Sequence, residues 1–279
     1  EEIRNTTEEE RQRLVEEEGF LAIRRYADVS IDEAANELAC EMYRTQVGRV
    51  IQDPETADAL MPRDYPMGCK RPVIDTNYYE TFNRENVTLV DLRKGGIDRI
   101  TAQGVSTAQG EHAFDVLVYA TGFDAMTGAL GKIDIRGRQD VALTDYWEAG
   151  PRTYLGLQVA GFPNLFTVTG PGSPSVLSNM IVSIEQHIDW IAQCIADLDQ
   201  RGAKTIEATS AAEDAWIAHV NEVAENTMFT AQSCNSWYLG ANIPGKPRIF
   251  MPYVGGVGVY REKCDDVAKN DYEGFLLQA

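Results

Sequence analysis

Two adjacent cations, Lys70 and Arg71, are framed by Gly68-Cys69 on one side and Pro72 on the other. Glycine permits a tight backbone, and a residue that precedes proline is kept out of helical geometry. In extended backbone, neighbouring side chains point to opposite faces. Lys70 and Arg71 can then serve two different anions. Lysine is a compact point charge suited to a phosphate, whereas arginine is a flat fork that stays charged at any working pH. The plain alternative for such a pair is a solvated surface cluster.

Three further stretches have the composition of ligand-facing backbone. The apolar run from Phe114 to Ala120 ends in Thr121-Gly122-Phe123-Asp124. A strand that stops at Thr-Gly lets a ligand approach the main chain, because Gly122 has no side chain to exclude it. Gly161 to Gly170 reads as a turn into a buried strand, followed by Pro171-Gly172-Ser173-Pro174 and a long helix. A strand, a Gly-rich turn and a helix N-terminus together make an anion site. Ser236-Trp237-Tyr238 precedes Gly240 to Pro247, and an indole N–H commonly finds an acceptor when buried. A packed tryptophan is the plain reading of Trp237.

The elements that must position these groups fall into two styles. Residues 1–47 read as helical, with capping boxes at Thr7-Glu8-Glu9-Glu10 and Ser30-Ile31-Asp32-Glu33 and a break at Gly19. Asp53-Pro54 starts a third helix that ends before Pro62. From about 67 the pattern turns to strands: Tyr78 to Phe82 is strand-like, Val87 to Asp91 is a short buried strand, and Ile97 to Thr101 and Gly104 to Thr107 follow. Phe114 to Ala120, nearly all apolar, reads as a strand covered on both faces. Ile133 to Gly137 alternates like an edge strand. Ser173 and Pro174 suit the start of the long helix, whose apolar stripe is Leu177, Ile181, Ile184, Ile188, Ile191, Ile195 and Leu198, with Gly202 as its stop. Ser210 caps a further helix that carries Trp216.

The 279 residues hold 25 Lys and Arg against 43 Asp and Glu, a formal net charge of −18. That balance argues against nucleic acid and anionic membrane as partners, and it makes a local pair of cations conspicuous. Five cysteines, widely spaced and without C-x-x-C, read as reduced thiols of a cytoplasmic protein with no metal site. His112, His187 and His219 are scattered, which suits structural or solvent-facing roles better than ligation.

Lys70-Arg71-Pro72, Asp75 to Arg84, Asn86 to Asp91, Ala120-Thr121-Gly122-Phe123-Asp124 and Ser236-Trp237-Tyr238 together resemble the type I Baeyer–Villiger monooxygenases, nearest to the phenylacetone and steroid monooxygenase branch. The resemblance runs over essentially the whole chain, as the C-terminal portion of such an enzyme. It implies an α/β fold, part of a two-dinucleotide-binding-domain flavoprotein (Rossmann-like, for FAD and NAD(P)) with a helical insertion. Residues 1–66 would be that insertion, 67–123 the C-terminal part of the NADP-binding domain and 124–279 that of the FAD-binding domain. No G-x-G-x-x-G follows a predicted strand, so both glycine-rich loops of the family would lie in an N-terminal half that acts as partner.

The implied reaction reduces FAD with NADPH and inserts one atom of O2 into a ketone to give an ester or lactone. By matching residues, Arg71 would be catalytic, holding the negatively charged oxygen species. Lys70 would meet the NADPH 2′-phosphate, Asp124 would lie on the cofactor side of a hinge, Met180 would touch the flavin and Trp237 would bond the nicotinamide cofactor. Ser175, Val176 and Leu177 would line the substrate pocket. Two other readings are another flavoprotein monooxygenase or reductase of the same architecture, and a fragment that binds no flavin alone.

Overall fold

A computed structural model describes residues 1–73 and 75–279, which divide into two compact units, Glu1–Gly122 and Phe123–Ala279. In the first, α1 (Glu8–Glu18) starts on the capping box expected at Thr7. The Glu10 N–H donates to Thr7 Oγ1 at 3.2 Å, and the Thr7 N–H donates to Glu10 Oε2 at 2.7 Å. Gly19, at φ +61°, closes the helix. α2 (Glu33–Val50) is capped by Asp32, whose carboxylate accepts the Ala35 N–H, and not by Ser30, which is drawn into a 3-10 turn over Asp28–Ser30. α3 (Pro54–Leu60) is capped by Asp53.

The helices bury Ile3, Val15, Ala22, Ile23, Ala35 and Ala39 against one another. A second cluster sets Phe20 and Tyr43 around Tyr79, with the Tyr43 and Tyr79 hydroxyls 2.6 Å apart. Tyr79 therefore sits in a single helical turn, α4 (Tyr78–Thr81), and the strand-like reading of Tyr78 to Phe82 is corrected. Asn77, at φ +58°, turns the chain into it. β1 (Ile97–Ile100), β2 (Gly104–Thr107) and β3 (Gly110–Ala113) form an antiparallel meander. Two strands expected in this unit are not formed among the described residues: Val87 to Asp91, and Phe114 to Ala120, which follows β3 with its side chains exposed. A strand exists only through a ladder of hydrogen bonds to a neighbour, and in this run the described ladder stops at its first residue, where the Phe114 N–H donates to the Gln103 carbonyl at 2.9 Å.

In the second unit, α5 (Leu143–Tyr146), α6 (Met180–Arg201), α7 (Ser210–Glu225) and α8 (Val257–Lys269) surround an antiparallel pair, β4 (Thr205–Ala208) with β5 (Phe275–Gln278). The core gathers Leu155, Leu157, Trp190, Ile206, Trp216, Tyr238, Tyr253 and Tyr260. Gly202, at φ +67°, ends α6 as the sequence indicates. Its start and its buried face differ from expectation. Asn179 caps it, while Ser173 Oγ donates instead to the Gly170 carbonyl. Ser183, His187, Trp190, Cys194 and Leu198 face the core, whereas Ile181, Ile188 and Ile195 are exposed. Thr209, not Ser210, caps α7. The strands expected over Ile133 to Gly137 and Gly161 to Gly170 reduce to single bridges, Arg136 with Ala142 and Phe166 with Gln158.

Both sheets are antiparallel, so the parallel sheet of a dinucleotide-binding fold is not formed among the described residues. Cys40, Cys194 and Cys264 are buried free thiols, and burial pushes the last two up to about 11 and about 12. The expectation of reduced thiols holds for these three and not for Cys69 and Cys234. No helix among the described residues is long and apolar enough to cross a membrane.

Candidate functional site

The turn before α6 is built on a backbone ladder. The Gly172 N–H donates to the Met251 carbonyl at 2.6 Å, and the Tyr253 N–H donates to the Ser173 carbonyl at 2.8 Å. On its other edge the same 249–253 segment holds the Trp237 turn, through Met251 N–H to the Tyr238 carbonyl at 2.8 Å and Ile249 N–H to the Leu239 carbonyl at 3.0 Å. Ser175 and Trp237, more than sixty residues apart in sequence, thus hang from one extended segment.

The turn is also pinned from below. The Thr169 N–H donates to Nδ1 of His187, and His187 Nε2 lies 2.9 Å from the Tyr260 hydroxyl, which donates to the Leu155 carbonyl at 2.6 Å. Nδ1 must be unprotonated to accept, so the neutral ring carries its hydrogen on Nε2 and donates to the tyrosine oxygen. Burial holds His187 down to about 4, consistent with that neutral form. His187 is structural, as its position on a helix suggested. The arrangement keeps Thr169 at φ +53°, in the left-handed region, at the entrance to Gly170-Pro171-Gly172.

Ser175 is fully buried at φ +41°, at the start of a 3-10 turn over Ser175–Leu177. Its hydroxyl lies 3.6 Å from Met126 Sδ and 3.8 Å from Met180 Sδ. Val176 and Leu177 are half-buried against the core. Met180, the first residue of α6, is partly exposed. Met126 brings the Phe123 to Gly128 segment to this turn. Asp124, on the same segment, is ion-paired with Lys246, and the Asn242 side chain reaches the Phe123 carbonyl at 3.4 Å. Gly128 has to be glycine, because a Cβ there would lie 2.3 Å from the Asp124 carbonyl oxygen.

Asp124, Ser175, Val176, Leu177, Met180 and Trp237 are therefore joined in one network within the second unit. Lys70 and Arg71 belong to the first. There Gly68 takes φ +82° in the turn expected of it, both cations are exposed, and Lys70 Nζ sits 4.0 Å above the Tyr65 ring. A cation held on an aromatic face keeps its charge outward with little mobility lost on further binding.

Two residues of this network escaped the sequence reading. Met126 carries no signal of its own, because a methionine in a loop is ordinary. Lys246 did carry one: like Lys70 it stands between a positive-φ glycine, Gly245 at φ +81°, and a proline, Pro247. Asp124, Lys132, Trp147, Lys246 and Pro247 line a cleft of about 310 Å³. One carboxylate faces two ammonium groups there, which leaves a net positive wall in a strongly acidic chain. Around Trp237, no protein acceptor for the indole N–H is found among the described residues, although the ring packs edge-to-face on Tyr238 at 4.5 Å. A free indole donor and a positive cleft suit an anionic, flat cofactor.

No family model matches the chain. Against curated proteins it is 42% identical over 278 residues to an acetone monooxygenase (methyl acetate-forming) of Gordonia sp. strain TY-5, covering 98% of this chain and 52% of that protein. It is 40% identical over 282 residues to a phenazine N-monooxygenase of Lysobacter antibioticus, covering 99% of this chain and 51% of that one. A Baeyer–Villiger monooxygenase of Pseudooceanicola batsensis is 37% identical over 252 residues, with 90% and 45% covered. Among solved structures, an oxidized steroid monooxygenase bound to NADP superposes with TM-score 0.89 at 45% identity, over 100% of this chain and 53% of that chain. The OTEMO complex with FAD and NADP gives 0.90 at 36%, over 99% and 52%. The chain spans about half the length of the relatives it matches.

Proposed function

We propose that this chain, which is homologous to about half of the Baeyer–Villiger monooxygenases it matches, is the C-terminal part of an FAD- and NADPH-dependent enzyme that converts ketones to esters or lactones with O2. The observation that carries the reading is the convergence of Asp124, Ser175, Met180 and Trp237 on one network. The similarity to proteins bound to FAD and NADP supports it. With both cofactors present, the flavin supplies the oxygen chemistry, and the protein supplies charge and exclusion of water.

The residues divide the work as follows. Trp237 offers its indole N–H to the nicotinamide cofactor, and the Asp124–Lys246 pair borders the same cofactor. Met180 and the Ser175 turn shape the flavin side of the site, with Ser175 to Leu177 facing the ketone. Lys70 meets the 2′-phosphate. Arg71 stabilises negative charge as it develops on oxygen, an effect worth most in a dry site. Residues 1–66 form a helical insertion, 67–123 part of the NADP domain and 124–279 part of the FAD domain. The remaining half supplies the glycine-rich loops and the parallel sheets of a Rossmann-like fold, and the whole acts in the cytoplasm.

The identity to a phenazine N-monooxygenase favours one alternative, oxygen transfer to a ring nitrogen on the same scaffold. The test is to co-express the chain with the unmatched part of the Gordonia relative and purify the assembly. It is then incubated with NADPH, O2 and acetone, cyclohexanone or phenazine, and the products are read by mass spectrometry. Ester or lactone supports the reading; an N-oxide alone, or NADPH consumption without oxygenated product, refutes it.

A further inference from the structure

A second cleft of the second unit, of about 340 Å³, shares Gly150 and Pro151 with the one that Asp124 and Lys246 line. Its volume lies at the lower end of the range of small-molecule sites. Its walls are apolar: Leu239 and Phe250 are buried, and Ile217 and Ile249 are half-buried. A glycine seats Ile249 there, because a Cβ on Gly150, at φ +123°, would overlap Ile249 Cδ1. No carboxylate lines this cleft among the described residues, although the chain carries 43 Asp and Glu against 25 Lys and Arg.

Two guanidinium groups do line it, and their engagements differ. Arg152 is committed to Glu213 and Asp214. Arg248 makes no ion pair among the described residues. Its Nη2 donates to the Ala231 carbonyl at 2.8 Å and to the Cys234 carbonyl at 2.9 Å. These two bonds use both hydrogens of one nitrogen and, because the guanidinium is planar and rigid, fix the orientation of the whole group. Three of its five donors, on Nε and Nη1, meet no protein acceptor among the described residues. An anchored cation with donors to spare, no counter-ion and apolar walls beside it matches a carboxylate that carries an apolar body. We propose that this cleft binds a small organic monocarboxylate, with its charge on Arg248 and its apolar part between Ile217, Leu239 and Phe250. The site adjoins the Trp237 turn, since Leu239 belongs to both and its carbonyl accepts the Ile249 N–H at 3.0 Å. It is independent of the proposed reaction, although hydrolysis of an ester or lactone would release a ligand of this class.

In the test, phenylacetate is titrated into the 279-residue chain at low salt and followed by isothermal titration calorimetry. Phenylacetamide serves as the uncharged counterpart of the same shape. Asn221 is exposed on α7 and lines the cleft, so Asn221→Glu puts a carboxylate into it without disturbing the core. Leu276→Glu adds the same charge at an exposed position on β5, outside the cleft. Melting temperatures confirm that both variants fold. One site is expected, at least about ten-fold tighter for phenylacetate than for phenylacetamide, weakened about ten-fold or more by Asn221→Glu and little changed by Leu276→Glu. Equal affinity for acid and amide, or unchanged binding in Asn221→Glu, overturns the site. So does equal weakening in both variants, or no heat with phenylacetate at about 10 mM. Neither cofactor nor ketone is present, so the outcome stands apart from whether the assembled enzyme forms an ester.

Discussion

The Thr169 backbone N–H donates to the His187 Nδ1 at 2.9 Å, so a buried imidazole in the long helix holds the entrance of the Gly170–Ser175 turn. That bond exists only while the ring is neutral. Burial lowers His187 from 6.5 to about 4, so between those values the unfolded chain binds a proton that the native chain does not. Stability therefore rises with pH across this window and is lost as pH falls through it, by on the order of 3 kcal/mol for this group alone. Urea midpoints measured from pH 7 to pH 4 check this. His187→Gln removes this group's contribution to the slope, and an unchanged slope in that variant contradicts the assignment.

Glu213 is a heavily engaged buried carboxylate. It is fully buried and accepts from Tyr146 Oη at 2.7 Å, Arg152 Nε at 3.2 Å and the Ala160 N–H at 3.1 Å. Glu213→Ala strands three donors, one of them cationic, and is expected to cost about 3–5 kcal/mol in chemical denaturation. Glu213→Gln keeps size and some bonding and loses less.

Gly156 lies against the turn that carries the site. At φ +72°, an added Cβ would stand 2.7 Å from both the Cβ and the backbone nitrogen of Ser173. Gly156→Ala is expected to destabilise the chain by about 2–4 kcal/mol. Gly202→Ala has a similar φ of +67° but open space around it, and costs only about 1 kcal/mol. Thermal unfolding of the pair separates crowding from backbone strain.

These sites show what was legible beforehand. Turn chemistry was: Thr7, Gly19, Asp53, Gly68 and Gly202 do what their types require, because caps and positive-φ turns are decided within a few residues. Strand pairing was not. Phe114 to Ala120 has a strand's composition, yet pairing depends on a neighbour that composition does not name. The α6 stripe was misassigned for a related reason: the isoleucines marked the apolar stripe, while the inward face is held by His187 and Trp190, whose partners Tyr260 and Cys264 lie far away in sequence. The site motifs were readable one at a time. Their convergence was not, since Met126 and Lys246 make it and only Lys246 has a local signature.

Lys70 tests cofactor choice. In the assembled enzyme, Lys70→Ala is expected to raise the Michaelis constant for NADPH by ten-fold or more, and that for NADH little, since only NADPH carries the 2′-phosphate (about 1.4 kcal/mol per ten-fold). Steady-state kinetics with both cofactors check it, and equal changes contradict the role.

Arg71 tests the account at its centre. In the assembled enzyme, Arg71→Ala should still let NADPH bleach the flavin under anaerobic stopped flow, while ester yield from a ketone falls by at least about 100-fold, as expected when a charge that stabilises a developing anion is removed. Ester formation at the unmodified rate by that variant would contradict the account.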